Sequence, residues 1–212
     1  MTEPDVVLTD YALAVEAIIF ALLTSRSSTG HRLLGRWFVL FFCATAAASL
    51  AGGTVHGFFL DESTLGARIL WPATLIAVGA AALAAWAIGA KIQFLPAGAR
   101  LVARAAAVEF LIYAAAVVAG IRAFSVAIIN YLPAAVFLLW VFASAGVRTR
   151  DHAFMLGAGA MVLTFIAAGV QWAQVHPAPP YLTHNSFYHL LQAISLFMLF
   201  ASANTVIRRS SC

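Results

Sequence analysis

Charged side chains are scarce in this sequence. Only 9% of its 212 residues are charged and 63% are hydrophobic, whereas a soluble domain carries about 25% charged residues. A soluble globule of this length cannot hide so much apolar surface, so a soluble fold is excluded. A bilayer removes that requirement. At roughly 20 residues per span, the chain allows about seven helices and no second, soluble domain.

The sequence also lacks the features of a cleaved signal peptide and of a disulfide framework. Residues 1–10 carry Glu3, Asp5 and Asp10 but no Lys or Arg, so we expect the first helix to be retained. The only two cysteines are Cys43, inside an apolar run, and Cys212, the last residue. We therefore expect no structural disulfide.

Seven apolar runs divide the chain, and each is long enough to cross the hydrocarbon core as a helix. The tightest break between two runs, from Gly120 to Phe124, contains one arginine. The sequence therefore predicts an all-α fold, a single polytopic bundle of seven transmembrane helices over residues 1–212. The runs cover about residues 7–25, 37–60, 67–90, 101–121, 124–146, 153–174 and 183–206.

The 12 basic residues are divided unevenly between the two sides that seven spans define. One side holds only Arg68 and Arg122. Because cytoplasmic connections are enriched in Lys and Arg, the asymmetry predicts an outer N-terminus and a cytoplasmic C-terminus. The net charge of +4 is then an orientation signal, and we expect no nucleic-acid partner. The other side holds Arg26, Arg32, Arg36, Lys91, Arg100, Arg104, Arg148, Arg150, Arg208 and Arg209.

The composition also indicates a source membrane. Alanine and arginine are abundant and there is a single lysine, which is typical of a GC-rich bacterial genome. We therefore expect a protein integral to a bacterial cytoplasmic membrane.

Polar side chains within the apolar runs are the candidates for function, because they are costly in lipid and usually face the bundle interior. In helix 2, Ser49 and His56 lie on one stripe of the helix. In helix 7, Asn185 and His189 share a face, and His184 lies one residue outside it. Hydrogen bonds that serve helix packing alone explain the same pattern.

These histidines suggest a metal site. Zinc binds imidazole nitrogens, and a catalytic zinc keeps one position for a water whose pKa falls to about 7. His56 and His189 are two candidate ligands, and His184 is the third if the start of helix 7 is irregular. Glu16 in helix 1 is a candidate carboxylate ligand or general base. Asn185 would support the ligand shell.

Seven helices with an outer N-terminus, a helix-2 histidine after a serine, and a histidine-containing start to helix 7 resemble the CREST superfamily. That group includes alkaline ceramidases and adiponectin-receptor-like hydrolases. The resemblance implies zinc-dependent hydrolysis of a lipid amide or ester, with one histidine from helix 2 and two from helix 7 as ligands. His56 and His189 match two of them. The chain has Gly52 where the family has its serine, and Asn185 in place of the first helix-7 histidine. The catalytic candidates are Glu16, Ser49 and Asn185, and the metal candidates are His56, His184 and His189.

A non-catalytic protein is the alternative. The same polar groups suit the binding or transport of a small ligand or a lipid, or the relay of protons. A haem bound by His56 and His189 is also open. Retinal is excluded, because the single lysine, Lys91, lies at the end of helix 3 and cannot form a Schiff base within the bundle. Under either hypothesis the expected partner is membrane lipid.

The asymmetry of basic residues gives a first testable prediction. A reporter fused after Cys212 should be active only if it is of a type that folds in the cytoplasm, because Arg208 and Arg209 lie close to the C-terminus. Paired phosphatase and fluorescent-protein fusions measure this directly. Phosphatase activity from the same fusion point would contradict the helix number or the orientation.

Overall fold

A computed structural model of the protein describes residues 3–27, 32–178 and 182–209. Within these residues the chain forms seven α-helices and no β-strand, apart from one isolated bridge between Ala178 and Leu182. All seven helices are long and apolar enough to cross a membrane, which confirms the predicted fold. Cys212 lies outside the described residues. The helices are α1 Pro4–Ser27, α2 Arg32–Phe58, α3 Leu65–Gln93, α4 Pro96–Val118, α5 Phe124–Thr149, α6 His152–Trp172 and α7 His184–Arg209.

The helix ends differ from the predicted bounds where local capping chemistry, rather than hydropathy, sets them. α4 begins at Pro96, earlier than predicted, because proline is tolerated in a first turn, where its missing N–H costs nothing. α3 follows Thr64, whose side chain accepts a hydrogen bond from the Ala67 N–H. Beyond α4, Gly120 takes a φ of 111°, which glycine adopts readily. This glycine keeps α4 and α5 separate, as the sequence predicted.

Six helices close into a ring, and α4 lies outside it. The order around the ring is α1, α2, α3, α5, α6 and α7, with α7 packed against α1, while α4 packs against α3. His56 near the end of α2 contacts Glu3 at the start of α1. Trp71 near the start of α3 donates to the carbonyl of Arg122 after α4. Odd-numbered helices therefore begin at the end of the bundle where even-numbered helices stop, and we call that end the N-terminal face.

The interior is built from aromatic rings and alanines. Phe20 of α1 stacks on Phe200 of α7 with ring centroids 4.3 Å apart, and Phe42 of α2 meets Phe20 edge-on. α3 contributes a buried run of small residues that lets neighbouring helices approach closely: Ala81, Ala82, Ala84, Ala85 and Ala87. Large aliphatic side chains instead cover the outside of the bundle, which suits contact with lipid rather than water.

Two glycines bring α2 very close to α1 at the N-terminal face. A Cβ atom on Gly53 would lie 2.7 Å from the Cβ of Asp10, and one on Gly57 would lie 2.9 Å from a methyl carbon of Val7. No ordinary side chain fits at either position. The glycines therefore set the distance between α2 and the polar residues of α1.

This close approach predicts that Gly53→Ala destabilises the bundle, because Asp10 and the α1 backbone would have to move. The expected loss in the free energy of unfolding is about 1–3 kcal/mol, measured by denaturant unfolding in detergent micelles. Gly169→Ala in α6 is the matched control, since nothing lies within 4 Å of its added Cβ, and alanine favours a helix by about 1 kcal/mol over glycine. Equal stability of the two variants would contradict the packing.

Candidate functional site at the N-terminal face

Polar side chains of α1, α2 and α7 meet at the N-terminal face. We call this group the N-face cluster. It contains the three acidic residues of the first ten, two of the histidines singled out in the sequence, and three hydroxyl groups: Glu3, Asp5, Asp10, His56, His189, Thr9, Thr183 and Ser186.

The part of the cluster nearest water is an imidazole–carboxylate pair. His56 lies two residues before the end of α2, and its Nδ1 is 2.7 Å from Oε2 of Glu3. The side chains are 28% and 38% exposed, so both are partly accessible at this face. The pair links α2 to the residue that precedes α1.

A second such pair lies deeper in the bundle and joins α1 to α7. Nε2 of His189 is 3.3 Å from Oδ1 of Asp10, and the two side chains are only 13% and 7% exposed. Asp10 is six residues into α1, or about 9 Å along the helix. On the other side of the imidazole, Nδ1 lies 3.1 Å from Oγ1 of Thr9. Both ring nitrogens of His189 are thus engaged by consecutive residues of α1.

The hydroxyl of Thr9 limits where the protons can be. It has one proton and three acceptors within reach, namely His189 Nδ1 and the carbonyls of Asp5 and Val6. If Thr9 donates to Nδ1, then Nε2–H donates to the Asp10 carboxylate. If Thr9 donates to a carbonyl, then Nδ1–H donates to Thr9, and Nε2 accepts from a protonated Asp10 unless the ring is charged. The pair can therefore take up or release a proton without moving a helix.

Asp5 caps the start of α7. Its Oδ2 accepts hydrogen bonds from the backbone N–H of Thr183 at 3.1 Å, from the Thr183 hydroxyl at 2.7 Å and from the Ser186 hydroxyl at 2.8 Å. A carboxylate at this position satisfies the Thr183 amide, which has no partner in the helix, and offsets the positive end of the α7 dipole. The start of α7, and with it His189, is thus fixed relative to α1.

The other sequence candidates are placed elsewhere. Ser49 is buried in α2, seven residues and about 10 Å before His56. Glu16 lines an apolar groove of about 460 Å³ along α1. Asn185 accepts a hydrogen bond from Nε2 of Gln171 in α6.

The three histidines predicted as metal ligands are divided between different partners. His56 lies with Glu3 and His189 with Asp10, while the ring of His184 packs against His176. In the described part of the chain, no three His, Cys, Asp or Glu side chains are grouped to hold one ion. As arranged here, the donors do not fit the zinc site that the resemblance implies.

Sequence reasoning identified His56 and His189 but not the carboxylates beside them. Asp5 precedes the predicted first run, which starts at about residue 7, and Asp10 lies inside it without being a candidate, whereas α1 begins at Pro4 and carries both. The missed signal is the proline followed by an apolar run that starts at Val6, since proline favours the first turn of a helix. Within a helix that begins there, Asp10 is an intramembrane acid and a functional candidate.

Comparison with known proteins gives a family but no activity. A family model described as a family of unknown function, DUF6962, matches residues 6–208, and the chain belongs to that family. No curated protein and no solved structure matches the chain.

The capping role of Asp5 predicts that Asp5→Ala loosens the start of α7. Hydrogen bonds to a charged group contribute about 1.5–3 kcal/mol each, so the free energy of local opening at residues 184–189 should fall by about 2 kcal/mol. Hydrogen–deuterium exchange of these amides measures the change.

Asp61→Ala is the matched control, because it removes a carboxylate from the α2–α3 connection at the same face. Hydrogen bonds from Ser63 hold the pKa of the Asp61 carboxyl below its usual value, so the control also removes a charge. Faster exchange at the start of α7 in the Asp61 variant would contradict the assignment, as would an unchanged exchange rate in the Asp5 variant.

Proposed function

We propose that this member of the DUF6962 family binds a primary ammonium group at the N-face cluster and releases a proton as it does so. The ligand is a small amine or the amine headgroup of a lipid, and the role is binding or transport. The observation that carries the proposal is the enclosed Asp10–His189 pair, which can exchange a proton within the membrane-spanning bundle.

Charge favours a cationic ligand. The cluster holds three carboxylates and two imidazoles, and none of its described hydrogen bonds or ion pairs comes from Lys or Arg. Asp5 is already satisfied by its three donors on α7, which leaves Glu3 and Asp10 as acceptors for a ligand. An ammonium group has three N–H donors and no acceptor, which is the complement of this arrangement.

Proton release follows from competition for Asp10. In the proposed empty site the pair carries one proton beyond a neutral imidazole and a carboxylate, held either by Asp10 or by a charged His189, and this proton keeps the carboxylate compensated. An arriving ammonium group supplies that compensation by donating to the carboxylate, so the shared proton leaves to water. In this proposal the proton leaves past the partly exposed Glu3–His56 pair, and the ligand displaces this contact to enter.

The proposed orientation places the N-terminal face outside the cell, because the basic residues lie on the other side of the predicted spans. The site would then open to external water and to the outer leaflet. The groove that contains Glu16 runs along α1 from Leu8 to Phe20 and is lined almost wholly by apolar side chains. It offers a place for the acyl chain of a lipid whose headgroup reaches the cluster.

A zinc-dependent hydrolase of lipid amides or esters, as in the CREST superfamily, is the second proposal. One observation favours it. His56 lies against Glu3, just before α1, and His189 lies against Asp10 of α1, and metal-bound histidines usually contact a carboxylate through the ring nitrogen that does not bind the metal. Nδ1 of His189 would have to leave Thr9 to bind an ion. Because the described donors do not form a three-ligand group, we derive no catalytic step from zinc.

Calorimetry tests the ammonium proposal. Protein in phosphatidylcholine nanodiscs is titrated with ethanolamine in two buffers of different ionisation enthalpy, which yields the number of protons released. We expect binding with release of up to one proton. Asp10→Asn should abolish the release and weaken binding at least ten-fold, since truncating one partner of a buried charged pair costs about 2 kcal/mol or more.

Glu62→Gln is the control, because it removes an acidic charge from the exposed α2–α3 connection and should change neither quantity. Nanodiscs that contain phosphatidylethanolamine separate the two ligand sources, since only a headgroup ligand lowers the apparent affinity for free ethanolamine. Absence of binding, or equal proton release by Asp10→Asn, would overturn the proposal. Stoichiometric zinc lost in both His56→Ala and His189→Ala, together with lipid amide hydrolysis, would favour the hydrolase.

A further inference from the structure

A second pair of histidines lies at the N-terminal face, apart from the N-face cluster. His176 lies in the connection after α6, four residues beyond Trp172, and His184 is the first residue of α7. Their ring centroids are 4.9 Å apart, and the ring planes are inclined by 75°. His176 is exposed and His184 is partly buried.

The ring separation matches that of two imidazoles on one metal ion. A metal–nitrogen bond of about 2.0–2.1 Å places each ring centroid about 3.2 Å from the metal. Two such rings at a ligand–metal–ligand angle of about 90–110° have centroids about 4.5–5.2 Å apart. The observed 4.9 Å lies inside that interval.

Two buried polar atoms near the start of α7 point independently to a ligand. Nδ1 of His184 and Oε1 of Gln171 are both buried without a hydrogen-bond partner among the described residues. Leaving such an atom unsatisfied costs about 1–3 kcal/mol. The amide of Gln171 is held near the start of α7, because its Nε2 donates to Asn185. An imidazole nitrogen and an amide oxygen are both acceptable metal donors.

The charge at this position also tolerates a cation. The first turn of a helix normally repels positive charge because of the helix dipole. Here the Asp5 carboxylate accepts hydrogen bonds from Thr183 and Ser186, so a negative charge already offsets the dipole at the start of α7.

We propose that His176 and His184 bind a divalent transition-metal ion that prefers imidazole, such as Cu²⁺ or Zn²⁺, with the side-chain oxygen of Gln171 as a third donor. The ion would join the end of α6 to the start of α7. The proposal uses none of the donor atoms of the N-face cluster and does not depend on the proposed function.

Copper titration tests the site. The protein is purified through a tag without histidine, stripped with a chelator and titrated with Cu²⁺, and frozen samples are measured by electron paramagnetic resonance. We expect one tight copper per chain, with hyperfine structure from two imidazole nitrogens. In His176→Ala the two-nitrogen signal should be lost and the affinity should fall at least about ten-fold, because one of the two imidazoles is gone.

A matched control and a second readout complete the test. His152→Ala removes an exposed histidine at the start of α6, on the opposite face of the bundle, and should bind copper as the wild type does. Zn²⁺ should raise the unfolding temperature of the wild type but not of His176→Ala, because a ligand stabilises only the state that binds it.

A wild type without the two-nitrogen signal would overturn the site, as would equal copper affinity in the His176 and His152 variants. If Nδ1 of His184 binds only water, the wild type will lack the two-nitrogen signal. Asp10→Asn should bind copper normally, so failure of this proposal is distinguishable from failure of the proposed ammonium site.

Discussion

A polar group enclosed by apolar helices must find its hydrogen-bond partners inside the protein, because lipid offers none. In this bundle the requirement is most acute on α1, which carries Asp5 and Asp10 within a long apolar segment. Asp10 is paired with His189 of α7, and Asp5 accepts hydrogen bonds from Ser186 of α7 and from Thr183 just before it. These contacts accompany the closure of the ring between the first and last helices.

The position of the candidate site follows from this constraint. Histidines, acids and hydroxyls occupy the end of the bundle where α1 and α7 begin, while stacked rings such as Phe20 and Phe200 fill the space between the same helices further along. Gly53 then allows α2 to approach until His56 meets Glu3. The contact between the first and last helices thus combines stacked aromatic rings with a buried histidine–carboxylate pair.

The sequence predicted the seven helices because each apolar run is unambiguous in length, and it selected His56 and His189 because histidine is rare in such runs. It did not reveal Asp10 as their companion, because hydropathy does not record which residues of α1 and α7 meet across the bundle. His184 was predicted to join the other two histidines, but its ring packs against His176. His176 lies in the proline-containing connection between α6 and α7. The path of an irregular segment depends on long-range contacts that no periodicity records.

Closure of the ring has a consequence for the order of assembly. The contact between Asp5 and Thr183 joins residues 178 positions apart. A helix inserted from the N-terminus enters the bilayer long before α7 has been synthesised, so the acids of α1 lack their final partners for most of translation. Bringing the ends of a loop of this size together costs conformational entropy. The hydrogen bonds between the two helices offset this cost only when both helices are in place. The contacts between the first and last helices therefore form only after α7 has been made, and a chain interrupted before α7 leaves Asp5 and Asp10 without these partners.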